Sequence, residues 1–275
     1  MRKKQPSLPA SIIASIRKRH ERGEGTISRK PHSTETLVAS YNIHKCVGAD
    51  GKFDPERIGT VIGEIGADVI ALQEADKRFG EREGLLNMAR LERETGLVPV
   101  PISGNVKGHG WHGNVLLFKQ GVVRDVHQIK LPGLEPRGAI VAEIDLEEGS
   151  VIRIIAAHLG LLRRSRAQQA RVMMDIIDSR EEKPTLLLGD LNEWRLGDRS
   201  SLNTLRDTFG PLPPAVPTFP ASLPVLALDR IIANREGMIS AVQAHDSPLA
   251  RVASDHLPLK AFVTVPSLLQ KTDAA

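Results

Sequence analysis

Between Gly113 and Leu159 the chain holds four strand-like apolar runs in succession, "GNVLLFK", "VVRDVHQIKL", "GAIVAEIDL" and "VIRIIAAHL", with no helical pattern among them. The last two are joined by the turn "EEGS", so the stretch reads as antiparallel hairpins. On either side the pattern alternates between strand and helix. A simple parallel α/β sheet does not accommodate both the hairpins and the strand–helix units around them. Two packed sheets, mostly antiparallel but mixed, with helices outside them, satisfy both.

The flanking elements read as follows. "TLVASYNI" is a strand. "DPERIGTVIGEIG" is a helix, with Asp54 as N-cap, Pro55 in the first turn, Gly66 at its end, and Ile58, Val61, Ile62 and Ile65 as its apolar stripe. "ADVIALQE" is a strand, and "REGLLNMARLERETG" a second helix closed by glycine. After the hairpins, "SRAQQARVMMDIID" is a helix that aligns Ala170, Met173, Met174 and Ile177, and "TLLLGD" is a strand. "PLPPAVPTFPASLP" is too rich in proline for either element and forms a long loop. "LALDRIIA", "MISAVQA" and "LPLKAFVTV" finish the body as strands. No linker or repeat divides residues 35–266, which are expected to form one domain, with a frayed tail over 267–275.

Charge sets residues 1–34 apart. Nine basic and two acidic residues give the first 33 positions +7, which leaves −3 on the remainder of a chain whose formal total is +4. The basic arm is expected to be partly helical or disordered, and its cluster suits an anionic membrane surface. An acidic body is poor ground for a broad nucleic-acid surface. No run approaches the roughly 18 apolar residues of a membrane span, and "ASIIASI" followed by "RKRHER" is no secretory signal. The lone Cys46 excludes an intrachain disulfide and suits a reducing compartment. A cytoplasmic monomer, peripheral to the membrane through its arm, is the expectation.

The strands share an ending. "LVASY" ends in Asn42, "DVIALQ" in Glu74, "VIRIIAA" in His158, "TLLLG" in Asp190 with Asn192 beyond, and "VLAL" in Asp229. "ARVAS" runs into Asp255 and His256 just before the last strand. Any one of these suits a turn or a local ion pair. Six repetitions of one grammar point instead to a shared rim of the sheets. Phosphoester hydrolysis needs such a set: carboxylates for a hard divalent cation and for the attacking water, an asparagine to orient, and a histidine–aspartate pair for the leaving group. The lack of a cysteine cluster or an H-E-x-x-H motif argues against zinc.

In order along the chain, "SYNI", "DVIALQE", "GNVLLF", "AAHL", "LLLGDLN", "LDRI" and "SDHLP" resemble the motifs of the endonuclease/exonuclease/phosphatase superfamily, over nearly the whole body. The resemblance implies a four-layered α/β/β/α sandwich with its site at one end of the paired sheets. It implies magnesium, with manganese as an alternative, held by Glu74 with Asn42 and Asp255 nearby. It implies Asp190 as orienter of the attacking water, Asn192 as a phosphate contact, Asp229 and His256 as the aspartate–histidine pair, and His158 as a further catalytic histidine. Abasic-site repair is disfavoured, because "HGWHGN" stands where such enzymes carry a tyrosine and because His158 is present. Substrate-side candidates are Arg137, Arg163, His112 and Asn114, together with Arg164, Arg166, Lys107 and His109.

The leading expectation is a metal-dependent phosphodiesterase or phosphomonoesterase acting on a small molecule, a lipid head group or nucleic acid. A deoxyribonuclease-type endonuclease is the alternative within that chemistry. A non-catalytic protein that binds membranes or a partner on the same fold is the alternative outside it.

Overall fold

The computed structural model describes residues 35–104, 107–146, 150–195 and 197–265. The basic arm, the tail over 267–275 and most of the "EEGS" turn lie outside them. Eleven strands are described: β1 (Glu35–Asn42), β2 (Val69–Gln73), β3 (Val98–Pro99), β4 (Val115–Phe118), β5 (Val122–Leu131), β6 (Arg137–Leu146), β7 (Ser150–His158), β8 (Thr185–Asp190), β9 (Asp229–Ala233), β10 (Ile239–Ala244) and β11 (Leu259–Thr264). The three longer helices are α1 (Pro55–Ile65), α2 (Met88–Thr95) and α3 (Arg163–Asp178). The strands form two mixed sheets, in the orders β10-β11-β1-β2-β4-β3 and β5-β6-β7-β8-β9. Most pairings are antiparallel, but β1–β2 and β7–β8 are parallel.

Three cores separate four layers. Ile58, Val61, Ile62 and Ile65 of α1 pack with Tyr41, Ile70, Leu72 and Leu117 of the first sheet. Val38, Ala71 and Leu116 of that sheet meet Ile140, Ile154, Leu186 and Leu188 of the second. Val141, Ile155 and Leu187 of the second sheet face Ala170, Met173, Met174 and Ile177 of α3. The two-residue period of a strand explains the division. Leu186 and Leu188 point between the sheets, whereas Leu187 points at the helix, so one run of three leucines fills two cores. Each such burial stabilises by roughly 1.5–3 kcal/mol. The expected four-layered sandwich is therefore the observed one.

α1 keeps its expected signals: Asp54 accepts a hydrogen bond from the Arg57 amide, and Gly66 ends the helix at φ 68°. α2 is shorter than the sequence pattern predicts. Its start is fixed by Asn87, whose side chain accepts from the Arg90 amide. The residues before it bond elsewhere, with Leu85 N donating to Ala75 O and Gly84 pairing with Asp76. No helix among the described residues is long and apolar enough to cross a membrane.

Candidate active site

Strand register gathers the polar endings. In the parallel pair, His158 at the end of β7 stands beside Asp190 at the end of β8. In the antiparallel pair, Asp190 stands opposite Asp229, the first residue of β9. Three adjacent strands thus present His158, Asp190 and Asp229 in one row. Gly189 makes the row close enough, because a Cβ there would land on the Ala157 carbonyl, and its φ is 156°. On the other sheet, Asn42 pairs with Gln73, which sets Glu74 one residue beyond.

Asp190 is the meeting point. Its Oδ2 accepts a 3.0 Å hydrogen bond from Asn42 Nδ2 of the facing sheet, and its Oδ1 accepts one of 3.0 Å from the Asn192 amide. Nε2 of His158 lies 3.4 Å from Oδ2, and Nε2 of His256 3.8 Å. Burial pushes the Asp190 carboxyl up, the charge of His256 pulls it down and Asp229 raises it again, leaving a pKa of about 6.

The two histidines differ in protonation. Arg137 Nη1 lies 2.8 Å from His158 Nδ1. A guanidinium can only donate, so Nδ1 must accept, and the proton of the neutral ring sits on Nε2, facing Asp190. Burial, then the charge of Arg137, hold the His158 pKa well below its ordinary value. His256 is the reverse. Its Nδ1 is 2.8 Å from Asp229 Oδ2, which also accepts from Thr218 Oγ1 at 2.5 Å. Burial opposes the charge on His256, but Asp229 and Asp190 outweigh it and push its pKa up to about 10.

Glu74 forms the opposite wall. Its backbone is left-handed at φ 55°. Lys45 Nζ lies 2.5 Å from Glu74 Oε2. Burial alone would raise the Glu74 carboxyl, but Lys45 and Arg137 hold it below the usual range. Lys45 reaches this position from a turn in which His44, Lys45 and Cys46 all have positive φ, between 45° and 59°. Such backbone costs roughly 1–2 kcal/mol per non-glycine residue. Asp255, about a third exposed, has Oδ1 3.8 Å from His44 Nδ1.

Asn42, Glu74, His158, Asp190, Asp255 and His256 line a cleft of about 700 Å³, together with Arg78, Glu135, Arg137, Asn192 and Trp194. A smaller recess beside it shares Glu74, Arg78, Arg137 and His158, and adds Lys45, Arg82 and His112. Of the residues singled out from sequence, Asn42, Glu74, His158, Asp190, Asn192, Asp255, His256 and Arg137 meet in the cleft. Asp229 supports from behind, and His112 lies in the recess with Nδ1 3.1 Å from Pro136 O. Asn114 is buried, and its Nδ2 donates to Trp111 O and Gly138 O. Arg163 is exposed in the first turn of α3, outside the cleft lining, as is Arg164. Arg166 turns inward to Ser201 and Glu193. Lys107 pairs with Glu81, and His109 with Leu86 O.

Sequence reasoning passed over Lys45, Arg78 and Thr218. Arg78 lies in "ADKR", which reads as a solvated helix start, and the reach of Lys45 depends on a left-handed turn that no motif signals.

Two donor sets are candidates for a cation. Glu74, Asp255 and Asn42 Oδ1 are oxygen donors, which suits a hard divalent ion. Asp190, Asp229 and His256 offer three ligand atoms within 4.8 Å of one another. A cation on all three would compete with the hydrogen bonds that join Thr218, Asp229 and His256.

No curated protein matches this chain in sequence. Solved structures match its fold. An endonuclease/exonuclease/phosphatase from Beutenbergia cavernae is 23% identical at a TM-score of 0.65, covering 84% of this chain and 72% of its own. A mannosyl-6-phosphatase from Bacteroides thetaiotaomicron is 15% identical at 0.63, covering 83% and 99%. TDP2 from D. rerio, complexed with single-strand DNA product, is 14% identical at 0.57, covering 84% and 99%. The model of the endonuclease/exonuclease/phosphatase family matches residues 39–256, from the middle of β1 to the buried histidine beside Asp229. With its paired sheets, its site at their common end and that match, the chain belongs to the endonuclease/exonuclease/phosphatase family.

Proposed function

We propose that the protein is a divalent-metal-dependent phosphoesterase in which Asp190 prepares the attacking water. The observation that carries this reading is the placement of one buried carboxylate between a neutral and a protonated histidine. Near neutral pH, Asp190 with a pKa of about 6 is largely ionised yet still basic enough to take a proton, as a general base should be.

The water's oxygen forms a new bond to phosphorus while one of its protons passes to Asp190. The bond from phosphorus to the leaving alcohol breaks, and that oxygen takes the proton on His256 Nε2. The 3.8 Å between His256 Nε2 and Asp190 Oδ2 is a short return path for the proton. His158, with its Nε2–H fixed by Arg137, donates to Asp190 or to a phosphoryl oxygen. Asn42 orients Asp190, and Asn192 contacts the phosphoryl group beside it. Arg78 and Arg137 bind the anionic substrate.

Glu74, with Asp255 and Asn42 Oδ1, would hold magnesium or manganese, whose chemistry is to neutralise charge on the phosphoryl oxygens. The all-oxygen donor set fits such an ion, and the Lys45 ammonium marks Glu74 as a carboxylate that requires a counter-charge. Asp190, Asp229 and His256 are assigned to protons instead.

The test is hydrolysis of bis-p-nitrophenyl phosphate by the full chain with magnesium, manganese or calcium, against chelator. Turnover is expected with a cation and nearly absent in Glu74→Gln and His256→Ala, both folded. Undiminished turnover in the two variants would refute the assignment. The relatives named above act on different substrates, so the substrate is argued from this cleft.

A further inference from the structure

Three loops at one end of the second sheet expose large apolar side chains where a soluble phosphoester would need none. Leu134 lies between β5 and β6, Leu161 and Leu162 between β7 and α3, and Trp194 after β8; all four line the cleft. They are 87%, 64%, 54% and 45% exposed. Phe79, 80% exposed, follows the cleft residue Arg78. The loops are tied together: Leu161 N donates to Glu135 Oε1, and Asn192 Nδ2 to Leu159 O. Exposed apolar side chains gathered around the mouth of one cleft mark an interaction surface.

Basic side chains border the patch. Arg163 and Arg164 follow Leu161 and Leu162 directly and are exposed. The Arg195 guanidinium sits 4.4 Å from the centre of the Trp194 ring. Exposed leucines, a tryptophan at the edge and arginines behind them make the composition that enters an acyl layer while the cations stay among anionic head groups. Stacking on nucleic-acid bases would need flat rings, and three of the four cleft-mouth side chains are aliphatic.

We infer that the mouth of the cleft docks on an anionic phospholipid bilayer, and that the phosphoester it takes belongs to a lipid head group. The inference rests on the phosphoesterase reading for its chemistry, but the docking surface stands on its own residues. It differs from attachment through the basic arm, because contact is at the cleft itself.

The chain has two tryptophans, so Trp111→Phe leaves Trp194 as the sole emitter. The full-length variant is mixed with vesicles of phosphatidylcholine, with or without phosphatidylglycerol, some carrying brominated acyl chains. On vesicles with phosphatidylglycerol, Trp194 emission is expected to shift to the blue and be quenched by the bromines. Leu161→Ser with Leu162→Ser is expected to weaken vesicle partitioning at least about tenfold, at an unchanged melting temperature, since both residues are exposed. Sedimentation with vesicles but no quenching would assign binding to the arm and overturn the inference. So would a Trp194 response to single-stranded oligonucleotide and none to lipid. A protein that hydrolyses bis-p-nitrophenyl phosphate yet ignores vesicles sinks this inference alone. One that docks yet cleaves no phosphoester sinks the reading of the site.

Discussion

Asn42 on one sheet donates a 3.0 Å hydrogen bond to Asp190 on the other, so the proposed base is held by a residue from the opposite layer of the sandwich. That bond helps to keep the Asp190 carboxyl from rising further. Asn42→Ala is expected to lower kcat/KM by about ten- to a hundredfold, as the loss of a hydrogen bond to a charged group does. Its pH–rate profile should have an acid limb shifted to higher pH. An unmoved limb would separate Asn42 from Asp190.

The site predicts a bell-shaped dependence of kcat/KM on pH. Asp190 must be deprotonated, so activity rises with pH through about 6. His256 must be protonated, so activity falls above about 10. Asp229→Asn removes the charge that does most to raise His256, so its alkaline limb should move toward neutrality. Imidazole titration by NMR checks the same change directly.

Stability should follow the same histidine. Its folded pKa of about 10 lies above the ordinary 6.5, so it stabilises the fold fully below about 6.5, and that contribution is lost as pH rises through about 10. Melting curves of the protein and of His256→Gln should converge at the alkaline end. A gap that stays constant with pH would contradict the shift.

Lys45→Met takes the ammonium away from Glu74. The carboxylate then faces a divalent ion without a competitor, and manganese binding measured by calorimetry is expected to tighten by about tenfold or more. Glu74→Gln should abolish the same heat. Equal affinity in Lys45→Met and the parent would mean that the cation binds elsewhere.

Leu187→Ala opens a void between the second sheet and α3, away from the cleft. A loss of about 2–5 kcal/mol in urea denaturation is expected.

Much of the fold and of the site is legible in the sequence. Strand ends carry polar groups visibly, since a run such as Leu186–Leu188 cannot continue through Asp190 without a reason. Helix limits are legible where a cap is strong, as at Asp54, and not at Asn87, where the chain before it pairs with Ala75 instead of coiling. Arg166 follows "HLGL" as a substrate-side arginine would, but its spacing to Ala170, Met173 and Ile177 places it on the buried face of α3. Lys45 lay beyond reach, because nothing local foretells a left-handed turn in residues other than glycine.

That turn matters to anyone improving the protein. Glycine at position 45 would relax the main chain and is expected to raise the melting temperature, and it would strip Glu74 of its partner. Stability and ion affinity are therefore coupled at this one position, so a variant selected for heat tolerance alone is expected to grip its cation more tightly as well.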